Sequence, residues 1–170
     1  MLAKYSALES LRDGRTIEIR ALKQDDHAGL MAAVSRSSTQ SLYRRFFGLK
    51  RHFSDQEIAH FLNVDFVNHV VLVAVIEEGS KSVFVGGACY VIHEPGKAEI
   101  AFAVIDAYQG QGIGGALMRH LAVIAREAGL KKLTAEVLPD NISMLKTFEK
   151  SGLDLNVERE AQVAHVTLQL

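Results

Sequence analysis

A chain of 170 residues, 48% hydrophobic and 23% charged, is long enough for one domain, residues 1–170, with a sizeable core. Its net charge of −1 argues against nucleic acid and anionic membrane surfaces as partners. The single cysteine, Cys89, excludes an internal disulfide, and the seven histidines show no ligand spacing, so no metal is expected. The first stretch, MLAKYSALESLRDG, has no long apolar core of the signal-peptide kind, and no apolar run is long enough to span a bilayer; a cytoplasmic protein is the expectation.

In chain order, Asp13-Gly14 signals a turn, Thr16–Arg20 alternates like a strand, and Ala7–Arg12 pairs with it as a hairpin. Gln24-Asp25-Asp26 caps a helix predicted to run to about Ser35, burying Leu30, Met31 and Val34. A short helix is predicted over Ser38–Phe46. Ser54 and Glu57 form a capping box for another, running to about Asn63. Valine-rich Val70–Ile76 reads as a strand, and Glu78–Lys81 turns the chain into a second, Val83–Ile92, where Gly86-Gly87 predicts a bulge or bend. Glu94-Pro95-Gly96 closes a hairpin into a strand over Ala98–Ile105. After a turn at Asp106–Gln109, a helix opens on glycines, buries Ile113, Leu117, Leu121, Ile124 and Ala128, and ends at Gly129. Lys132–Leu138 is the next strand. Pro139-Asp140-Asn141 starts a helix through Lys150, stopped by Gly152, and Leu153–Arg159 with Ala161–Leu170 form a terminal antiparallel pair. This is an α+β order.

The informative stretch is Ala98–Ala116, AEIAFAVIDAYQGQGIGGA. Glycines at a helix start let the backbone approach a ligand closely, and the N–H groups of the first turn face it with the positive end of the helix dipole; the reading is a pyrophosphate site. Two patterns fit. Gly110, Gly112 and Gly115 spell the dinucleotide fingerprint G-x-G-x-x-G, with Glu136 near the place of a ribose-binding acid. Gln109, Gly112 and Gly114 spell [Gln/Arg]-x-x-Gly-x-[Gly/Ala]. Context favours the second. A dinucleotide strand is an unbroken apolar run that ends at the first glycine. Here Ile100, Phe102 and Val104 alternate with Glu99, Ala101 and Ala103, and a turn intervenes before Gly110. No Gly-Lys-[Ser/Thr] follows, which excludes a Walker-type loop.

The second pattern marks the GNAT superfamily of acyl-CoA-dependent N-acyltransferases, which the chain resembles from about Leu11 to Gly152, with Glu99 before the glycines and Asn141-Ile-Ser-Met-Leu-Lys-Thr-Phe-Glu-Lys-Ser-Gly after them. Leu11-Arg-Asp-Gly-Arg-Thr-Ile-Glu-Ile-Arg, Ser41-Leu-Tyr-Arg-Arg-Phe-Phe, Val64-Asp-Phe and Val137-Leu-Pro-Asp-Asn look like the acyltransferase domain of bacterial protein lysine acetyltransferases. In many of those proteins the domain is fused to an acyl-CoA-synthetase-like region, which these residues do not include. The resemblance implies a mixed, mostly antiparallel sheet flanked by helices. It also implies acetyl-CoA as cosubstrate and direct transfer of a short acyl group to a primary amine, preferably a protein lysine, by a monomer or homodimer. The alternatives are a small-molecule amine acceptor, a non-catalytic acyl-CoA-binding sensor and a dinucleotide-binding oxidoreductase.

The same resemblance assigns the site. Gln109, Gly110, Gln111, Gly112, Ile113, Gly114 and Gly115 hold the cosubstrate's pyrophosphate. Many relatives carry arginine where this chain has Gln109 and Gln111, so binding should lean on backbone. The backbone of Ala103, Val104 and Ile105 pairs with pantetheine, and a bulge there aims the Val104 N–H at the thioester oxygen. Glu99 is the candidate base for a protonated amine, on a face left open by Ala101 and Ala103; a plain solvent-facing glutamate is the alternative. Asn141 matches a position that contacts the cosubstrate arm or an active-site water, as well as reading as a helix N-cap, and Ser143 is similar. Phe148 stands near the tyrosine that in many members protonates the departing thiolate. Glu136 reads as a strand-face acid, Cys89 as an inert buried thiol, and Tyr43-Arg44-Arg45-Phe46-Phe47 as either a cleft wall or a helix end.

Overall fold

The computed structural model describes residues 2–26, 64–138, 141–160 and 163–170. Strands β1 (Ser6–Ser10), β2 (Thr16–Ala21), β3 (His69–Glu78), β4 (Lys81–Glu94) and β5 (Lys97–Val104) are followed by helix α1 (Ile113–Glu127). Then come β6 (Lys132–Val137), helix α2 (Ile142–Glu149), β7 (Asp154–Glu160) and β8 (Val163–Gln169). The strands form one sheet in the order β1-β2-β3-β4-β5-β6-β8-β7. Every neighbouring pair is antiparallel except β5–β6, which is parallel because α1 carries the chain back across the sheet. The predicted mixed α+β architecture is therefore present. Gln24–Asp26, predicted to cap a helix, form a 3-10 turn; the helix predicted to run on to about Ser35 and those predicted over 38–46 and 54–63 lie outside the described residues.

Period-two burial sorts the side chains. Ile19, Leu72, Tyr90, Ile100, Leu133 and Val166 pack on the face covered by α1, which brings Ile113, Leu117, Leu121 and Ile124 to them. Val71, Val73, Val75, Phe84 and Cys89 are buried on the opposite face. Ala128, expected in the core, is exposed, because α1 ends at Glu127 and Ala128 is its C-cap. Gly129 follows at φ +86°, the left-handed conformation that glycine adopts without a Cβ penalty.

The predicted bulge lies in β4. Ala74 pairs with Gly86 and Val75 with Phe84, so Val85 is the extra residue. Val85 and Gly86 then both face α1, and Gly86 is needed there. A Cβ on it would stand 3.0 Å from the Ala103 carbonyl and 3.2 Å from Ile113 Cγ2. The start of α1 can therefore sit against the sheet.

Among the described residues no helix is long and apolar enough to cross a membrane.

Candidate active site

The site begins where two strands part. β5 and β6 pair only at Lys97–Lys132, Ala98–Leu133 and Glu99–Thr134. Beyond Glu99 no strand neighbours β5 on that side among the described residues. On the other side, the Ile105 N–H donates to the Val85 carbonyl at 2.9 Å. Because backbone groups alternate along an antiparallel strand, Ala103 and Ile105 turn theirs toward β4, while Phe102 and Val104 turn theirs into the opening beside β6. Of the three positions expected to pair with pantetheine, Val104 alone faces the opening, and Phe102 joins it. The expected bulge in β5 is absent. β5 pairs regularly with β4 through Val104, and the extra residue is on β4, where the close approach of α1 fixes it. The Val104 N–H reaches the opening through ordinary strand alternation instead.

A cleft of about 70 Å³ in this opening is lined by Glu99, Phe102, Glu136, Asn141, Met144 and Phe148, among others. It brings together Glu99 and Asn141, two residues the sequence singled out. Asn141 is also the N-cap of α2, accepting the Met144 N–H at 3.4 Å. Ser143, on the first turn of α2, is exposed, and its carbonyl accepts the Thr147 hydroxyl at 3.0 Å. Phe148 is buried and packs edge-on against Phe102, with ring centroids 5.9 Å apart. It is a wall of the cleft and has no proton to give.

Glu99 also borders a wider cavity of about 240 Å³ with His93, Thr134, Glu136 and His165. Its side chain is 58% exposed, so the protein's own walls leave it hydrated. His93 stands beside it, Nε2 to Oε2 at 3.7 Å. Sequence reading missed His93. Ile92 pairs with Ala98 and Glu94 with Lys97, so His93 is an extra residue that the hairpin at Pro95-Gly96 swings out toward Glu99. Glu136 faces the same cavity from β6, with His165 Nδ1 at 3.8 Å.

The glycine loop joins β5 to α1. Gly110 (φ +80°) and Gly112 (φ +94°, the N-cap of α1) adopt the left-handed conformation. The Gly112 carbonyl already accepts the Ala116 N–H at 3.0 Å, so the helical ladder starts here and the preceding N–H groups project from the helix end. Ile113 is buried and anchors that end in the core. Gly114 lies against α2, where a Cβ would meet Thr147 Oγ1 at 3.7 Å. The Gln109 amide donates to the Val104 carbonyl at 3.2 Å and ties the loop to the strand end. Tyr108, before the loop, is buried under Arg15, whose guanidinium carbon lies 5.0 Å from the ring centroid. An N–H-lined turn next to an opened strand edge suits a ligand with an anionic arm and an extended amide chain. Among the described residues, no group of three or more His, Cys, Asp or Glu side chains is placed to hold a metal ion.

A parted β5–β6 pair with a glycine turn at its mouth defines an acyltransferase architecture. The profile of the acetyltransferase (GNAT) family matches residues 32–153, and the chain belongs to that family. It is 32% identical over 144 residues to the acetyltransferase Pat of Mycolicibacterium smegmatis, covering 84% of this chain and 42% of that protein. It is 32% identical over 127 residues to the acetyltransferase PA5475 of Pseudomonas aeruginosa, covering 74% of this chain and 68% of that one. The crystal structure of the GNAT domain of S. lividans PAT superposes with a TM-score of 0.87 at 34% identity, covering 97% of each chain. The chain thus spans less than half of Pat's length and nearly all of the PAT domain.

Proposed function

We propose that this chain transfers an acetyl group from acetyl-CoA to a primary amine, preferably a protein lysine, by direct attack in a ternary complex. The observation that carries the reading is the parting of β5 from β6 after Glu99–Thr134. Strand alternation then points backbone groups of Phe102 and Val104 into the opening, and Glu99 lines the cleft there together with Phe102. The pantetheine amides add to the open edge of β5 as a further strand, and the glycine-loop N–H groups take the pyrophosphate. The Val104 N–H donates to the thioester oxygen as it gains negative charge. A lysine amine is protonated at neutral pH, with a reference pKa of about 10.4. Glu99 takes its proton, directly or through one water, from the hydrated side of the cleft. With Phe148 where a tyrosine would stand, the thiolate leaves without a phenolic donor. The resemblance of Leu11-Arg-Asp-Gly-Arg-Thr-Ile-Glu-Ile-Arg and Val137-Leu-Pro-Asp-Asn to bacterial protein lysine acetyltransferases supports a protein lysine as acceptor.

Glu99→Gln tests this. Turnover should fall about 10²- to 10⁴-fold while acetyl-CoA affinity stays within about twofold, since a base acts on the amine and not on the cosubstrate. Unchanged turnover removes Glu99 as the base. A protein that binds acetyl-CoA but acetylates no peptide, protein or small amine in its wild-type form is a sensor, and the reading fails.

A further inference from the structure

The motif at the glycine loop is uncharged, with Gln109 and Gln111 on either side of Gly110. Yet a cation lies against it from another part of the chain. Arg12, in the turn between β1 and β2, donates its backbone N–H to the Gln111 carbonyl at 3.3 Å. Its Nη1 donates to the Gly110 carbonyl at 3.1 Å. The residues are 98 apart in sequence. The other arginines near this end are taken up by carboxylates: Arg15 by Asp13 at 2.7 Å and Arg119 by Glu9 at 3.4 Å. Among the described residues Arg12 forms no ion pair.

The consequence follows from peptide geometry. In a trans peptide the C=O and the next N–H point in opposite directions, and the chain has no cis bond among the described residues. Drawing the Gly110 carbonyl toward Arg12 turns the Gln111 N–H away from it. Drawing in the Gln111 carbonyl does the same to the Gly112 N–H. Two consecutive donors are thereby aimed to one side of the loop, with the Arg12 guanidinium behind the first peptide and the Arg12 backbone N–H behind the second. That is an anion-binding nest held open from the rear.

We propose that Arg12 is a positioning residue for the cosubstrate's pyrophosphate: by binding the Gly110 and Gln111 carbonyls it orients the Gln111 and Gly112 N–H groups toward the phosphates. This rests on the reading that acetyl-CoA is the cosubstrate. The hairpin also fixes the residue just before the loop, because Arg15 Nη1 donates to the Tyr108 hydroxyl at 3.3 Å.

The test compares acetyl-CoA with S-acetylpantetheine, which keeps the thioester and amide arm but has no pyrophosphate. In Arg12→Gln the KM and Kd for acetyl-CoA should rise on the order of tenfold, the worth of a hydrogen bond to a charged group. The kcat at saturation and the KM for S-acetylpantetheine should stay as in the wild type. Arg12→Lys, which keeps the charge behind the loop, should recover part of the acetyl-CoA affinity. Equal effects on both thioesters, or equal losses in the Gln and Lys variants, make Arg12 a structural residue only and overturn the proposal. Wild-type protein that binds no acetyl-CoA overturns the cosubstrate reading instead, so the two failures are distinct.

Discussion

At the scale of single residues, Tyr90 is the sharpest case. Its hydroxyl is the one buried side-chain polar atom without a hydrogen-bond partner among the described residues. Burial, helped by the nearby negative charge of Asp65, pushes the phenol above its ordinary range, so it stays neutral. Leaving a buried hydroxyl unpaired costs about 1–3 kcal/mol, so deleting it should not hurt. Tyr90→Phe should melt at the wild-type temperature or higher; a drop of several degrees would mean that the hydroxyl is satisfied by water. Asp26 is the opposite case. Burial raises its carboxyl, but two hydrogen bonds from Arg20, at 2.9 and 3.0 Å, and one from the Lys23 N–H at 2.7 Å outweigh burial. The net effect holds it below the usual carboxylate range. A carboxyl depressed in the folded state adds stability that is fully present above its unfolded pKa and lost as pH falls through the folded one. Asp26→Asn should therefore cost about 1–3 kcal/mol at neutral pH, and the difference should shrink as pH falls below the ordinary carboxylate range and through the depressed pKa of the folded state, as read by denaturant unfolding across acid pH.

At the scale of elements, the β4 bulge sets how closely α1 approaches the sheet. Gly86→Ala places a methyl group 3.0 Å from the Ala103 carbonyl, which is backbone and yields poorly. Overpacking of this kind costs about 1–3 kcal/mol, a fall in melting temperature of about 2–10 °C. Acetyl-CoA affinity should fall with it, because Ile113, at 3.2 Å, begins the helix that carries the loop. A variant that melts and binds like the wild type would show that the approach is slack. The sequence allowed a bulge near Gly86-Gly87, because paired glycines weaken a strand locally. It did not show that the bulge belongs to β4 alone, since that depends on where α1 lands. His93 is similar. Its neighbours read as an ordinary hairpin, and only the register places its ring at Glu99. Strand alternation was legible because period-two patterns are local. Helix ends were less so, and Ala128 fell outside the core for that reason.

At the scale of the whole molecule, contacts far apart in sequence join the β1–β2 hairpin to the glycine loop and to α1. Arg12 holds the loop. Farther along α1, His120 Nε2 meets Glu9 Oε1 at 2.7 Å while the Tyr5 hydroxyl bonds the other ring nitrogen. The family motif is read from Gln109, Gly112 and Gly114, but no local pattern announces that an arginine of the first hairpin stands behind them. The parting of β5 and β6 is likewise a property of the sheet. Glu99 and Thr134 are ordinary strand residues until their pairing proves to be the last.

The opening beside β5 is the proposed seat of the acyl-CoA thioester. Calorimetric titration of the purified protein with acetyl-CoA, with NAD(H) and NADP(H) in parallel cells, tests it most directly. Acetyl-CoA should bind saturably, one to one, and be competed by CoA, while neither nicotinamide cofactor should give heat. Binding of a nicotinamide cofactor without acetyl-CoA would contradict it and return the glycine turn to the dinucleotide pattern.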